Sequence, residues 1–212
     1  MLSYEVDGRM KKSLLLCLLL LPFVGASCFA QESRQDFSVS ESAIIPPFAA
    51  GNGVQLHATV GMYGVLLSYR YDLTPHGALE VNYQYNQNEQ HFTFAASGNY
   101  HIHDRFQEVS GAYVYTFNYK NWNPFLEVGV GGLLFTPIDD SKTNTFDLSQ
   151  NTAIGGLYGA GIAYEISPSF DIRAEYRGLV VKTPTFGYQN NDFRTNVYYN
   201  IYDPTIGVAY HF

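Results

Sequence analysis

The stretch SFDIRAEYRGLV, residues 169–180, alternates strictly between two kinds of side chain. One set is apolar or small and consists of Phe170, Ile172, Ala174, Tyr176, Gly178 and Val180. The other set carries four charges, on Asp171, Arg173, Glu175 and Arg177. Because successive side chains of a β-strand point to opposite faces, this period of two predicts a strand with one oily face and one charged face. The fold depends on what surrounds each face.

The same alternation recurs along the chain. Turn residues and period-two runs divide the sequence into eight predicted strands, at 36–44, 59–73, 77–88, 106–119, 123–135, 153–166, 169–182 and 204–212. Short and long connections alternate between them: the short ones are 73–77, 120–123 and 166–169, and the long ones are 45–58, 89–105, 136–152 and 183–203. YDLTPHGALEVNY (71–83) also aligns without gaps with YEISPSFDIRAEY (164–176), which indicates hairpins of one design.

Two architectures suit such strands. A soluble lipocalin-like barrel would bury the apolar face and show the charges to water. A membrane barrel would turn an apolar band with aromatic girdles toward lipid and keep the polar groups in its lumen. In this chain Tyr and Phe concentrate toward the strand ends of the apolar face, as in an interfacial girdle.

Strand length and loop asymmetry also favour the membrane barrel. The predicted runs 59–73 and 77–88 exceed the ~9–11 residues that a strand needs to cross a bilayer. An Arg facing lipid at mid-bilayer would cost about 2–4 kcal/mol, whereas charges of both signs can pair in a narrow lumen. We therefore predict an all-β, eight-stranded antiparallel up-and-down transmembrane β-barrel with short periplasmic turns and long extracellular loops.

The N-terminal segment has the pattern of a secretory signal peptide. A basic Lys11-Lys12 pair precedes an apolar run at 14–26. That run has 13 residues, fewer than the ~18 that a membrane-spanning helix needs. We predict a signal peptide at residues 1–30 and a β-barrel domain at residues 31–212.

Both cysteines, Cys17 and Cys28, fall inside the predicted signal peptide. A lipoprotein signal at Cys28 is disfavoured because Gly25 occupies the position where a lipobox usually has leucine. Met10 is an alternative start, since the acidic residues before it do not suit a signal peptide. The predicted domain thus has no thiol for a disulfide or a cysteine-ligated metal.

The charge balance argues against a nucleic-acid partner. The net charge is −7, and only 15% of the residues are charged, against 16% that are aromatic. Nucleic-acid-binding surfaces are basic, so this composition disfavours that function.

The chain resembles the small OmpA/OmpX-type outer-membrane β-barrels, the outer membrane protein beta-barrel domain or porin-like family, over about residues 34–212. PTIGVAYHF (204–212) resembles the terminal strand of that class, with Ile206, Val208, Tyr210 and Phe212 at alternate positions. The resemblance implies a place in the bacterial outer membrane, contact with its lipid, and recognition of this last strand by the outer-membrane assembly machinery. We expect a monomer.

The charged face predicts a lumen network. Its members are Arg70, Glu80, Glu127, Arg173, Glu175 and Arg177, with Asp72, Glu108 and Asp171 as further candidates. In the family that the chain resembles, such charges form ion-pair networks that fill the interior and sometimes rearrange to pass ions. Eight strands leave room for little more than side chains, which favours a static plug over a diffusion pore.

Two further groups could bind metal. His101 and His103 share one strand face, with His91 in the same predicted loop, and imidazole is a ligand of Zn and Cu. No third ligand has a fixed spacing. The acidic segment that contains Asp139, Asp140 and Asp147 lacks the spacing of an EF-hand. We expect both groups to be exposed loop residues, and we predict no metal and no cofactor.

Enzymatic activity is not expected either. A nucleophilic serine needs a base beside it, and Ser110 on the charged face has no evident histidine neighbour. We predict a structural or surface-interaction role, in envelope integrity, adhesion or loop-mediated binding. The segments 186–192 and 198–202, rich in Tyr and Asn, suit adaptable recognition. The alternatives are a narrow gated ion-conducting barrel, a lipid-modifying outer-membrane enzyme and a soluble lipocalin-like ligand-binding barrel.

Overall fold

The computed structural model describes residues 34–94, 99–140, 143, 149–186 and 195–212, so the predicted signal peptide lies outside the described residues. The described part of the chain forms the strands β1 (Gln35–Ile44), β2 (Ala49–Gly51), β3 (Val54–Ala58), β4 (Gly61–Asp72), β5 (Gly77–Phe94), β6 (Asn99–Thr116), β7 (Trp122–Pro137), β8 (Asn151–Ser167), β9 (Phe170–Lys182) and β10 (Tyr198–His211). It includes no helix that is long and apolar enough to cross a membrane.

Eight of these strands close into an antiparallel barrel. β1 pairs with β4 on one side and with β10 on the other, and β4 to β10 follow one another in chain order. The pairing of β5 with β6 completes the cylinder. β2 and β3 form a small hairpin that pairs with the part of β5 extending beyond β4. The prediction of an eight-stranded up-and-down barrel is confirmed.

The two ends of the barrel differ. At one end, here called the short-turn end, the connections 73–76, 117–121 and 168–169 each join neighbouring strands in a few residues. β1 also begins at this end, where Gln35 pairs with Tyr71. The opposite end, here called the long-loop end, carries the β2–β3 hairpin and the longer connections after β7 and β9.

Several predicted strand ends are wrong. The segment 89–105 was expected to be a loop, but β5 runs to Phe94 and β6 begins at Asn99. β10 begins at Tyr198 rather than at residue 204, and the predicted loop 45–58 contains the β2–β3 hairpin. On β5 and β6 the outward face stops being apolar before the strands end, and backbone pairing continues beyond the apolar band. The predicted strands 59–73 and 106–119, in contrast, extend past the observed ends at Gly61, Asp72 and Thr116.

The barrel wall sorts side chains as the alternation predicts. Leu79 and Tyr176 point outward and are each 50% exposed, whereas Arg173 and Glu175 point inward and are 3% and 8% exposed. Aromatic side chains gather on the outer surface at the short-turn end, among them Tyr71, Tyr115, Phe117, Trp122, Tyr164 and Phe170. An apolar outer wall around a charged interior is the reverse of a soluble barrel, so the lipocalin-like alternative is wrong.

The long-loop half of the interior is mainly apolar, which the sequence analysis did not predict. Asp104 and Gln90 are also buried there and share a hydrogen bond of 3.1 Å. The buried apolar side chains of this apolar layer are Ile44, Ala49, Val54, Leu56, Phe92, Ile102, Phe106, Leu133, Phe135, Leu157, Leu179, Val181, Phe186, Tyr199 and Ile201. Aromatic rings interlock within it: Phe106 meets Phe135 edge to face at 5.5 Å between ring centroids. Assigning faces by polarity missed this layer because on β7 and β9 both faces are apolar here, as at Leu133 and Leu134 or at Leu179 and Val180.

Candidate functional site

Buried ionisable side chains fill the barrel between the apolar layer and the short-turn end. This charged layer contains three arginines and seven carboxylic acids: Arg70, Arg173, Arg177, Asp36, Glu80, Glu108, Glu127, Asp171, Glu175 and Asp203. They come from seven of the eight barrel strands, because inward positions recur every second residue along each strand.

Arg177 on β9 is the most enclosed of the three arginines. Its Nη2 donates a hydrogen bond to Glu108 Oε1 at 2.7 Å, and its Nη1 donates to Asp203 Oδ2 at 3.1 Å. Its Nε lies 3.5 Å from Glu127 Oε1. Since these partners belong to β6, β10 and β7, one guanidinium group ties four strands together across the lumen.

Phe125 on β7 forms a buried platform for the other two arginines. Arg70 pairs directly across the ladder with Glu80, and its Nε donates to Glu80 Oε2 at 2.8 Å. Arg173 reaches Asp36 on β1, with 3.3 Å between Nη2 and Oδ1. The Cζ atoms of Arg70 and Arg173 lie 4.8 Å and 5.9 Å from the centre of the Phe125 ring. Both contacts are within the range of cation–π attraction.

Three carboxyl groups meet at the middle of the charged layer. The nearest oxygens of Glu80, Glu127 and Glu175 lie within 4.8 Å of one another. Among the described residues, neither carboxyl oxygen of Glu127 has a hydrogen-bond partner, and nor has Glu175 Oε1. Guanidinium nitrogens such as Arg173 Nε and Nη1 likewise have no hydrogen-bond partner among the described residues, so donors and acceptors that could form other pairs lie close together.

All six residues of the predicted lumen network lie buried in this layer. Of the further candidates, Glu108 and Asp171 are buried with them, and Asp72 is half-buried. Asp72 lines a groove of about 220 Å³ at the short-turn end, together with Asp36 and Arg173.

Gln84 lies on the polar face of its strand, as its alternation with Leu79, Val81 and Tyr83 predicts, and its Oε1 accepts a hydrogen bond from Arg177 Nη1 at 3.4 Å. The sequence analysis missed three members of the interior: Asp36, Phe125 and Asp203. The predicted last strand begins one residue after Asp203. Asp203 nevertheless lies two residues before Thr205 on the same strand, so both side chains point inward. Phe125 lies two residues before Glu127 and points inward with it, but because its side chain is apolar, polarity did not identify the position as inward.

Ser110, which the sequence analysis considered as a nucleophile, and the inward-facing His211 each contact other residues. Ser110 Oγ accepts a hydrogen bond from Arg177 Nη2 at 3.4 Å. His211 Nε2 lies 3.1 Å from Asp171 Oδ2 at the short-turn end. Neither residue is placed as half of a serine–histidine pair.

The last strand presents its alternating apolar residues on the outer wall. Ile206 and Val208 on β10 are exposed there, Tyr210 is half-buried, and Phe212 follows the strand and is exposed. β10 pairs with β1 and β9, which closes the barrel. Recognition of these residues by the assembly machinery stays a prediction.

The histidines expected in a loop lie on strands instead. His91 is in β5, and His101 and His103 are in β6, so the loop assignment is wrong. Strand pairing extends through these residues even though their outward neighbours are polar. Of the acidic segment, Asp139 and Asp140 are described, and Asp147 lies outside the described residues.

An outward apolar band, an aromatic girdle, a charged interior and short turns at one end together define a small transmembrane β-barrel of the bacterial outer-membrane class. Comparison with known families agrees: the model of the outer membrane protein beta-barrel domain matches residues 16–212. The chain belongs to this family and is a protein of the outer membrane.

Solved structures share the fold. OprG from Pseudomonas aeruginosa is similar with a TM-score of 0.59 at 10% identity, over 86% of this chain and 97% of that one. Neisserial surface protein A has a TM-score of 0.52 at 16% identity, over 83% and 97%. Ail, the attachment invasion locus protein of Yersinia pestis, has a TM-score of 0.50 at 16% identity, over 86% and 100%. No curated protein matches the sequence.

Glu41 on β1 is an exception to the sorting of charges. It is exposed on the outer wall, and its ladder partners Val65 and Ile206 are both outward-facing and apolar. Among the described residues no hydrogen bond or ion pair is formed by its carboxyl group. A carboxylate in this position faces lipid rather than water.

Replacing Glu41 by leucine is therefore expected to stabilise the barrel. A charge on the lipid face opposes insertion, and for a carboxylate we expect a gain of about 1–2 kcal/mol, less than the ~2–4 kcal/mol cost of a mid-bilayer Arg. Denaturant unfolding in lipid vesicles measures the change through the fluorescence of the single tryptophan, Trp122. Glu41→Gln, of matched size, should give part of the gain. An unchanged or lower stability of Glu41→Leu would contradict a lipid-facing charge.

Proposed function

We propose that the protein is a non-enzymatic outer-membrane barrel whose closed cylinder anchors surface segments, with a role in envelope integrity, adhesion or binding by its loops. The supporting observation is that the interior is filled at two successive levels. Arg177 and its partners fill the charged layer, and side chains such as Leu133 and Leu179, both 0% exposed, fill the apolar layer above it. A filled lumen leaves the lipid-facing wall and the long-loop end as the surfaces for interaction.

The recognition surface differs from the one that the sequence suggested. Phe186 is buried in the apolar layer, where its ring meets that of Phe92 at 6.3 Å between centroids. Tyr199 and Ile201 are buried as well, because residues 198–202 begin β10. Tyr198 is 72% exposed and remains available to a partner. Residues 187–192 lie outside the described residues.

The chemistry of a surface partner is constrained by charge. Ail was solved in complex with sucrose octasulfate, a heparin analogue and a polyanion. This chain has a net charge of −7, which disfavours a polyanion of that kind through long-range repulsion. We propose outer-membrane lipid at the wall, the assembly machinery at β10 during biogenesis, and a neutral or cationic partner at the long-loop end.

A narrow gated ion path is the second candidate, and the carboxyl cluster favours it. Glu80, Glu127 and Glu175 crowd together beside three guanidinium groups, and several of their oxygens have no hydrogen bond among the described residues. Such a cluster could exchange ion-pair partners along the lumen. The apolar layer opposes conduction, because an ion entering it would lose its hydration.

Planar-bilayer recordings distinguish the two candidates. We expect no stepwise conductance from the purified wild-type barrel, because the apolar layer stays closed. We expect Arg173→Ala and the control Lys182→Ala, on the same strand but solvent-exposed, to be equally silent. A wild-type conductance that Arg173→Ala alters and Lys182→Ala does not would contradict the plug and support the ion path. Turnover of labelled lipid A would contradict the non-enzymatic assignment.

A further inference from the structure

Three histidines form a row across the outer wall near the long-loop end. His57 on β3 pairs with His91 on β5, and His91 pairs in turn with His101 on β6. Because directly paired residues project to the same side of a sheet, all three imidazoles share the outer surface. Glu89 lies two residues before His91 and so joins the same face.

The row lies beyond the apolar band of the wall. Along β5 the outward side chains change from Leu79, Val81 and Tyr83 to Gln87 and Glu89. The imidazoles of His91 and His101 are about one-third exposed, at 34% and 37% of their side-chain surface. A dissolved ion can therefore reach them from the extracellular side without entering lipid.

The distances among these side chains suit a metal ion. Glu89 Oε1 lies 3.5 Å from His91 Nε2 and also 3.5 Å from His101 Nδ1. All three ligand atoms lie within 4.8 Å of one another. With metal–ligand bonds of ~2.0–2.2 Å, the ligand atoms of a tetrahedral Zn²⁺ site stand ~3.4 Å apart. The glutamate already has this spacing to both histidines, and a modest rotation of one imidazole would bring the two rings into range.

We propose that Glu89, His91 and His101 form a surface site for a divalent transition-metal ion of the Zn²⁺ or Cu²⁺ type. Imidazole nitrogen and carboxylate oxygen suit these ions, whereas Ca²⁺ and Mg²⁺ prefer sites made only of oxygen. Three protein ligands leave a fourth position for water or for a group from a partner. This proposal replaces the expectation of ordinary loop histidines, and it does not depend on the proposed anchoring function.

The other titratable side chains beside the site contact other residues. His103 lies opposite Glu89 in the ladder, but its Nδ1 is 2.7 Å from Asp140 Oδ2. His57 packs its ring against Phe48, with 4.6 Å between centroids. The ion would therefore bridge β5 and β6, holding together the strand extensions that carry the loop between them.

Calorimetric titration of Zn²⁺ into the tag-free, refolded mature chain of residues 31–212 in detergent tests the site, because this chain lacks the metal-binding thiols of Cys17 and Cys28. We expect one ion per chain. Glu89→Gln, His91→Gln and His101→Gln should each weaken binding at least ~10-fold. Replacing a residue that only hydrogen-bonds a metal ligand already weakens metal binding by about that factor. The matched control is His76→Gln, because His76 is an exposed histidine at the short-turn end whose ring hydrogen-bonds the Thr116 carbonyl and stacks on Tyr115.

Heat-modifiable gel migration shows whether each variant is folded. Electron paramagnetic resonance of bound Cu²⁺ should show coupling to two imidazole nitrogens in the wild type and to one in either histidine variant. The proposal is overturned if the wild-type chain binds no ion, if binding survives when Glu89→Gln, His91→Gln and His101→Gln are combined in one chain, or if His76→Gln weakens binding as much as the site variants do.

Discussion

Replacing Arg177 by methionine is expected to lower the free energy of unfolding by about 3–5 kcal/mol. The substitution leaves the carboxylates of Glu108 and Asp203 buried without their cation, in an interior that they cannot leave. Removing one partner of a buried ion pair costs far more than the intact pair contributes, because the remaining charge has lost both water and its counter-charge. Denaturant unfolding in lipid vesicles, followed through Trp122 fluorescence, measures the loss.

Two further variants separate this mechanism from a simple packing defect. Adding Glu108→Gln and Asp203→Asn to Arg177→Met removes the uncompensated charges, so we expect most of the stability to return. Lys182→Met deletes a cation from the same strand at an exposed position and should change stability by less than ~1 kcal/mol. If the triple variant is no more stable than Arg177→Met alone, the electrostatic explanation is wrong.

Truncating Phe125 to alanine is expected to cost about 3–5 kcal/mol, the usual range for a buried aromatic side chain. The ring is 1% exposed, packs with Ala78 and Val114, and lies beneath the guanidinium groups of Arg70 and Arg173. Its removal leaves a cavity at the short-turn end and withdraws the aromatic face from two buried cations. The same unfolding experiment measures the effect.

The adjacent residue supplies the control. Leu126 points outward and is 51% exposed, so Leu126→Ala exchanges one lipid-facing apolar side chain for a smaller one. Its cost should be well below that of Phe125→Ala. Equal costs for the two substitutions would contradict the inward placement of Phe125 and, with it, the alternation on which the wall is built.

Much of the barrel could be predicted from single strands. In residues 169–180, Arg173 and Ile172 are neighbours and therefore point to opposite faces of the strand. Once Arg173 faces the lumen, Ile172 must face lipid. The strand number, the tight turns and the burial of Arg70 and Glu80 follow from the same rule. Where polar and apolar residues do not alternate, polarity does not show which way a side chain points. The strand extensions through His91 and His101 and the apolar layer around Leu133 were therefore not predicted.

The sequence by itself determined the architecture, the orientation of the wall and the inventory of charges that the lumen must hold. Only the tertiary structure decided which of these groups meet. Arg177 contacts Glu108, which lies 69 residues away in the chain, and His91 faces His101 beside Glu89. These contacts depend on the register between strands, which turn geometry and closure of the whole sheet fix together. No spacing within one strand encodes that register, so the ion pairs and the proposed metal ligands are brought together only in the closed barrel.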